Sequence, residues 1–209
     1  DANSYLIEEY QSKQWKYSIK KSTDDRLHTV ISRTNKKLLK YITYDKQKLG
    51  EIDFKSSQPL FLFIIMNTIF IGAMENNVGR FLKKKLGTKL LEKIKRKGID
   101  LQELKSFGDV IISKDLYNYL GENLKSAKSS ERFSYYDHKK KMTIYFESKR
   151  DLMKVVMMRT LYSNENNDVD VQDVKKLFIS IFEIVKVINE NEKLSNSKNN
   201  LSHVLQSIE

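Results

Sequence analysis

Apolar residues recur at helical spacing along most of the chain, and the pattern predicts helices over Ser32–Tyr41, Leu60–Met74, Gly79–Lys97, Leu101–Lys105, Ser113–Leu124, Lys149–Leu161, Val171–Asn191 and Leu201–Ile208. The run from Leu60 to Met74 is apolar on nearly every side, broken only by Asn67 and Thr68. It falls short of the ~20 residues that cross a bilayer, so it reads as a buried helix and no membrane association is expected. Ser148 ahead of Lys149-Arg150-Asp151 is a natural helix cap, as is Asp170 ahead of Val171 with Asp173 at the third helical position. Tyr17–Ile19 and Lys48–Phe54 read as strands, the second bounded by Gly50 and closed by Pro59, which suits an edge or strand end. Polar stretches at Lys125–Arg132 and Asn164–Asp168 read as linkers, and Glu192–Asn200 as a mobile loop. Glycine and proline are scarce, seven and one, which favours helices joined by short polar links. The predicted fold class is α+β, predominantly α-helical.

Composition narrows the class. With 209 residues, 40% hydrophobic and 31% charged, the chain can bury one substantial core and a lobe beside it. A formal net charge of +11 favours a polyanionic partner, because lysines near phosphates release condensed counterions; a merely lysine-rich surface is the alternative. The absence of cysteine removes disulfides, thiolate zinc sites and thiol nucleophiles and fits a reducing compartment, so a cytoplasmic location is expected. Three scattered histidines argue against a His-rich metal site. Asp1 opens the chain without a charged segment followed by an apolar one, so no secretory signal is expected.

Four groups of residues carry candidate chemistry. Asp53, in Gly50-Glu51-Ile52-Asp53-Phe54, places a carboxylate at the end of an apolar-flanked strand, with Ser57 and Gln58 just beyond it. One carboxylate so placed suits Mg²⁺ or Mn²⁺, since Mg²⁺ keeps several waters and takes substrate phosphates as ligands; a solvated or capping aspartate is the alternative. Upstream, Arg26, His28 and Thr29 precede a basic helix with Arg33, Lys36 and Lys37, a set suited to a nucleic-acid backbone or to plain solvation. On the helix from Lys149, residues Arg150, Lys154, Met158 and Tyr162 are four apart and so form one ridge: two cations, a thioether and an aromatic ring. A triphosphate would meet the cations near the helix start, and a base or sugar would pack along Met158 and Tyr162; an amphipathic core helix with exposed cations is the alternative. A basic run from Lys83 to Lys97 alternates with Leu82, Leu86, Leu90, Leu91 and Ile94 and reads as one solvated face or a phosphate-tracking surface. The aromatics Phe133, Tyr135, Tyr136, Tyr145 and Phe146 read as the packed face of a hairpin or as stacking groups for single-stranded bases. No Walker loop, dinucleotide glycine fingerprint, His-Glu-x-x-His pair or nucleophile elbow is present.

Taken in order, these segments resemble family A polymerases and the related phage-type single-subunit RNA polymerases. Arg26-Leu27-His28-Thr29 looks like that family's template-side Gly-Arg-Leu-Ser/His motif, with Asp25 in place of the glycine. Asp53 to Gln58 looks like motif A, and Arg150, Lys154 and Tyr162 match the spacing of motif B on the fingers helix. Met158 stands where an aromatic is common, and Ser163 where a glycine is. Divergent polymerase-like proteins of bacteria, phages and mobile elements are more similar still, with an Asp-Ile-Lys-Asn-Ser-Gln-Pro form of motif A; Lys114–Leu120 and Leu201–Glu209 also resemble segments of that set.

The resemblance implies a palm-and-fingers fold with a small antiparallel sheet, divided into a template-side palm segment (1–78), a basic helical insertion (79–147) and fingers-like helices (148–209). It implies template-directed nucleotidyl transfer on a primer-template with nucleoside triphosphates, in a bacterial or phage-infected cell. In that scheme Asp53 binds catalytic Mg²⁺ or Mn²⁺, Arg150 and Lys154 hold the triphosphate, and Gln58, Met158 and Tyr162 shape the nucleotide pocket. The family's motif C, a His-Asp pair supplying a second carboxylate, is missing, since His28, His138 and His203 are followed by Thr, Lys and Val. Truncation beyond Glu209 and a non-catalytic nucleic-acid-binding or assembly scaffold are both consistent with that gap.

Overall fold

The computed structural model describes residues 34–48, 50, 56–72, 74–124, 133–137, 141–162 and 168–191, with isolated positions 4, 8, 11, 12, 201, 204 and 205; at 36, 44 and 137 it describes the backbone alone. The expected strand Tyr17–Ile19, the part of Lys48–Phe54 beyond Gly50, and the tracts 125–132, 163–167 and 192–200 lie outside the described residues. Two compact units divide at Phe54 and Lys55.

In the first unit, helix α1 (Lys36–Leu39) precedes a hairpin of β1 (Thr43–Tyr44) and β2 (Gln47–Lys48), paired antiparallel with Thr43 opposite Lys48. The helix expected over Ser32–Tyr41 is shorter than its pattern. Asn35 caps it, its side chain accepting from the Lys37 amide at 3.0 Å, and an asparagine so placed starts a helix rather than continuing one. Asp45 and Lys46 both have positive φ, 50° and 62°, the conformation that matches a two-residue turn to the twist of its strands.

The second unit is helical around α2 (Ser57–Ile71). This helix is apolar almost all round and buries Phe61, Leu62, Ile65, Met66 and Ile69, as an unbroken apolar surface requires in water. Pro59 lies within its first turn, where the missing amide hydrogen costs nothing; the proline opens a helix rather than closing a strand. Helices α3 (Asn77–Leu86), α4 (Thr88–Lys97) and α5 (Leu101–Ser113) pack on α2. The expected helix Gly79–Lys97 is two helices, parted at Gly87 with φ 74°, a backbone conformation that a side chain disfavours. Helix α5 continues far beyond Lys105. A Cβ added at Gly108 would lie 2.5 Å from the Phe63 ring, so the glycine that weakens the helical pattern is what lets α5 approach α2.

Helix α6 (Leu116–Asn123) leads to the hairpin of β3 (Ser134–Asp137) and β4 (Met142–Tyr145), with Tyr135 opposite Ile144. This is the hairpin expected of the aromatic segment, and Phe133, Tyr135 and Phe146 pack against the core. Helix α7 (Lys149–Tyr162) packs on α6 and on α8 (Val169–Leu177), while α9 (Ile179–Asn189) touches α4, α5, α7 and α8. The helix expected over Val171–Asn191 breaks at Phe178, whose backbone (φ −139°, ψ 62°) turns its ring into the core, edge-on to Phe107 at 4.9 Å. Asp168 rather than Asp170 caps α8, accepting from the Asp170 amide at 3.1 Å while its other oxygen takes Arg159. The Arg159 guanidinium also lies 4.3 Å from the centre of the Tyr135 ring, tying the hairpin, α7 and α8 at one side chain.

The start of α9 has no capping side chain of its own. Glu103 on α5 supplies one, accepting from the Ile181 amide at 2.9 Å and from the Ser180 hydroxyl at 2.8 Å. Burial of Leu201, Val204 and Leu205 in the same core fits the expected C-terminal helix at the positions described. Among the described residues no helix is long and apolar enough to cross a membrane.

Candidate functional site

The ridge predicted on α7 lies at the border between the buried face of that helix and solvent, with Met158 and Tyr162 packed against the edge of the core. Leu152, Met153, Val156, Met157, Thr160 and Leu161 are buried, whereas Arg150, Met158 and Tyr162 are half-exposed and Lys154 is exposed. The buried positions recur at three- and four-residue steps, as one face of a helix does.

At the far end of the ridge, the Tyr162 phenol donates a 2.6 Å hydrogen bond to Oε1 of Gln58. Gln58 is buried, 7% exposed, at the second position of α2, so its amide oxygen would be costly to leave without a donor. The structure thus brings together two residues assigned to one nucleotide pocket from separate segments. At the start of α2, Ser56 holds a left-handed backbone conformation (φ 54°, ψ 41°) and its side chain makes no cap.

At the near end, Arg150 sits in the first turn of α7, where a cation opposes the helix dipole. Asp115 offsets this: its Oδ2 accepts from Arg150 Nε at 2.9 Å, while its Oδ1 caps α6 by accepting from the Tyr117 and Asn118 amides, each at 3.1 Å. Burial would raise the Asp115 carboxyl, but the Asn118 amide, the Arg150 guanidinium and the Tyr117 amide together outweigh it and hold the group below its usual range. The guanidinium lies 5.3 Å from the centre of the Tyr117 ring. Burial pushes the Tyr117 phenol up, opposed by its hydrogen bond with the Ser56 side chain. Arg150 is thus held between the Asp115 carboxylate and the face of the Tyr117 ring. Ser148 caps α7, accepting from the Asp151 amide at 3.1 Å.

Of the other predicted residues, Asp53, Arg26, His28, Thr29 and Arg33 lie outside the described residues, and Lys36 is described by backbone alone within α1. Lys37 lies exposed on α1. Among the described residues no three His, Asp or Glu side chains gather as a metal would need. Asp115, Tyr117 and Ser56 were not among the predicted site residues. Asp115 had a visible signal, an aspartate directly before the apolar start of a helix, whereas its second bond to Arg150, 35 residues away, had none.

Compared with known protein families, curated proteins and solved structures, the chain has no match.

Proposed function

We propose that the chain is the palm-and-fingers portion of a divergent family A-like polymerase that carries out template-directed nucleotidyl transfer. The observation that supports this reading is the Tyr162–Gln58 hydrogen bond: the resemblance assigns both residues to the sugar-and-base pocket of an incoming nucleotide, and 104 residues separate them in sequence. In this reading Lys154 and the guanidinium donors of Arg150 not used by Asp115 hold the triphosphate beside the first amides of α7. Met158 and Tyr162 line the base and sugar, and Gln58 fixes the phenol. Mg²⁺ or Mn²⁺, held through Asp53, would offset developing phosphate charge. The test is nucleotide incorporation on a primed template by the chain in its natural full-length context. Asp53→Ala abolishes Mg²⁺-dependent incorporation while the thermal transition persists; equal rates in variant and parent would sink the reading.

The Arg150–Asp115 ion pair favours a second reading, in which the scaffold binds nucleic acid without catalysis. A carboxylate on the cation meant for a triphosphate competes with that ligand. This reading expects salt-sensitive binding indifferent to Asp53→Ala and to added triphosphate, and tightening of primer-template binding by triphosphate counts against it.

A further inference from the structure

The excess positive charge of the chain is concentrated. Residues 75–97, the α3–α4 helix pair with its entry, hold nine lysines and arginines against two glutamates, a net +7 within a chain of net +11. Some of these cations have local roles. Lys83 pairs with Glu75 at 2.9 Å, Lys97 with Glu183 at 2.7 Å, and Lys85 lies over the Phe81 ring. Lys84, Lys89, Lys93, Lys95 and Arg96 are all exposed, and none has a salt-bridge partner among the described residues.

Their spacing works against the isolated fold. Lys89, Lys93 and Arg96 lie at four- and three-residue steps, so like charges adjoin along α4, an arrangement that destabilises a helix and that Glu92, three beyond Lys89 and four before Arg96, offsets only in part. Cations in the last turns of α3 and α4 complement the helix dipoles, but Lys89 and Lys93 lie ahead of the last turn and draw nothing from that effect.

We infer that the exposed face of α3 and α4 is a docking surface for the sugar-phosphate backbone of duplex nucleic acid, engaged without regard to sequence. Charge complementarity selects the occupant: each helix is about 15 Å long, and a duplex presents roughly one phosphate charge per 1.7 Å of axis. The duplex is favoured over single strands because an unpaired strand is held largely by stacking on aromatic rings, and the one aromatic ring of the pair, Phe81, is half-buried and covered by Lys85. A lipid surface is disfavoured because Leu82, Leu86, Leu90, Leu91 and Ile94 are buried and Phe81 is half-buried with Lys85 over its ring, so no apolar face is offered to a headgroup layer. This surface rests on the nucleic-acid partner of the proposed function but not on the nucleotide pocket of α7.

The test compares the parent with the triple variant Lys89→Gln, Lys93→Gln, Arg96→Gln, and with a control of equal charge change, Lys105→Gln, Lys141→Gln, Lys176→Gln, whose positions are also exposed. Binding of a mixed-sequence duplex is measured from 50 to 200 mM salt. Each phosphate contact contributes about −0.9 to the slope of log K against log salt, so the surface variant loses roughly 3 from the slope magnitude and the control loses less than 1. Its thermal transition stays where the parent's is or rises. Equal slopes in the two triple variants overturn the proposal, because bulk charge then explains binding. So does binding of a single strand of equal length as tightly as the duplex, or retention on anionic lipid vesicles that the surface variant abolishes. Nucleotide incorporation separates the two readings: if Asp53→Ala incorporates as the parent does but the slope changes as stated, the surface stands and the polymerase reading falls.

Discussion

Tyr162 at the end of α7 and Gln58 at the start of α2 meet through a 2.6 Å hydrogen bond from the phenol to the amide oxygen. Tyr162→Phe keeps the ring and removes the donor, leaving a buried acceptor poorly satisfied. The expected loss is about 1–2 kcal/mol in urea unfolding. Replacing Gln58 by Leu as well removes both partners, and the double variant is expected to lose less than the two single losses added. Strict additivity would show that the bond is not what couples the two helices.

The Asp115–Arg150 pair predicts a pH dependence with a definite sign. The folded state holds the Asp115 carboxyl below its ordinary range, so over the acid window the unfolded chain binds more protons there than the folded one. The contribution is complete above the unfolded value, about 3.9, and is lost as pH falls through the lower folded value. Arg150→Ala removes one of the lowering causes. The stability gap between parent and variant is therefore expected to be steady from pH 7 to 5 and to narrow below about 4; a gap that widens on acidification would contradict the pairing. Because both side chains are partly exposed, 37% and 25%, added salt is expected to shrink the gap as well.

Glu103 caps a helix other than its own. Glu103→Ala is expected to cost about 1–2 kcal/mol, and Glu103→Gln less, since an amide oxygen can still accept from Ile181. Denaturant midpoints measure both, and hydrogen exchange at the start of α9 is expected to accelerate in the alanine variant. Unchanged exchange there would show that α9 is held by packing alone.

Gly108→Ala sets two effects against each other. Alanine favours the helix by about 1 kcal/mol, but its methyl would fall 2.5 Å from the Phe63 ring and force the two helices to adjust, at about 1–3 kcal/mol. Net destabilisation is expected, with partial recovery when Phe63→Leu makes room. A more stable Gly108→Ala protein would mean that the half-exposed ring simply swings aside.

What was legible in the sequence was decided by period and length. The buried and exposed faces of α7, the buried character of α2 and the aromatic hairpin all follow from local spacing. The breaks were less visible, for separate reasons. Leu82, Leu86 and Leu90 keep their helical spacing straight across Gly87, so the pattern hides the turn. Phe178 breaks α8 from α9 because its ring is drawn to Phe107, a tertiary cause with no local trace. Helix α5 runs beyond Lys105 through Gly108, a residue that weakens a helical pattern and whose place here is explained by the approach of Phe63. In the candidate site, the four-residue ridge was readable, whereas the attachment of Arg150 to Asp115 and of Tyr162 to Gln58 depended on partners 35 and 104 residues away.

Helix α2 also constrains how the protein is made. Its fifteen residues have no polar side to turn toward water, and they leave the ribosome before every helix that completes the core around them. Of these, α9 begins at Ile179, 108 residues after Ile71, which at about 5–20 residues per second is a wait of roughly 5–20 s. During that interval the nascent chain exposes its most adhesive segment. Its yield in a cell is therefore set by how well α3, α4 and α5 shield that segment before synthesis ends, and slowing translation between α2 and α5 is the condition under which aggregation should first be seen.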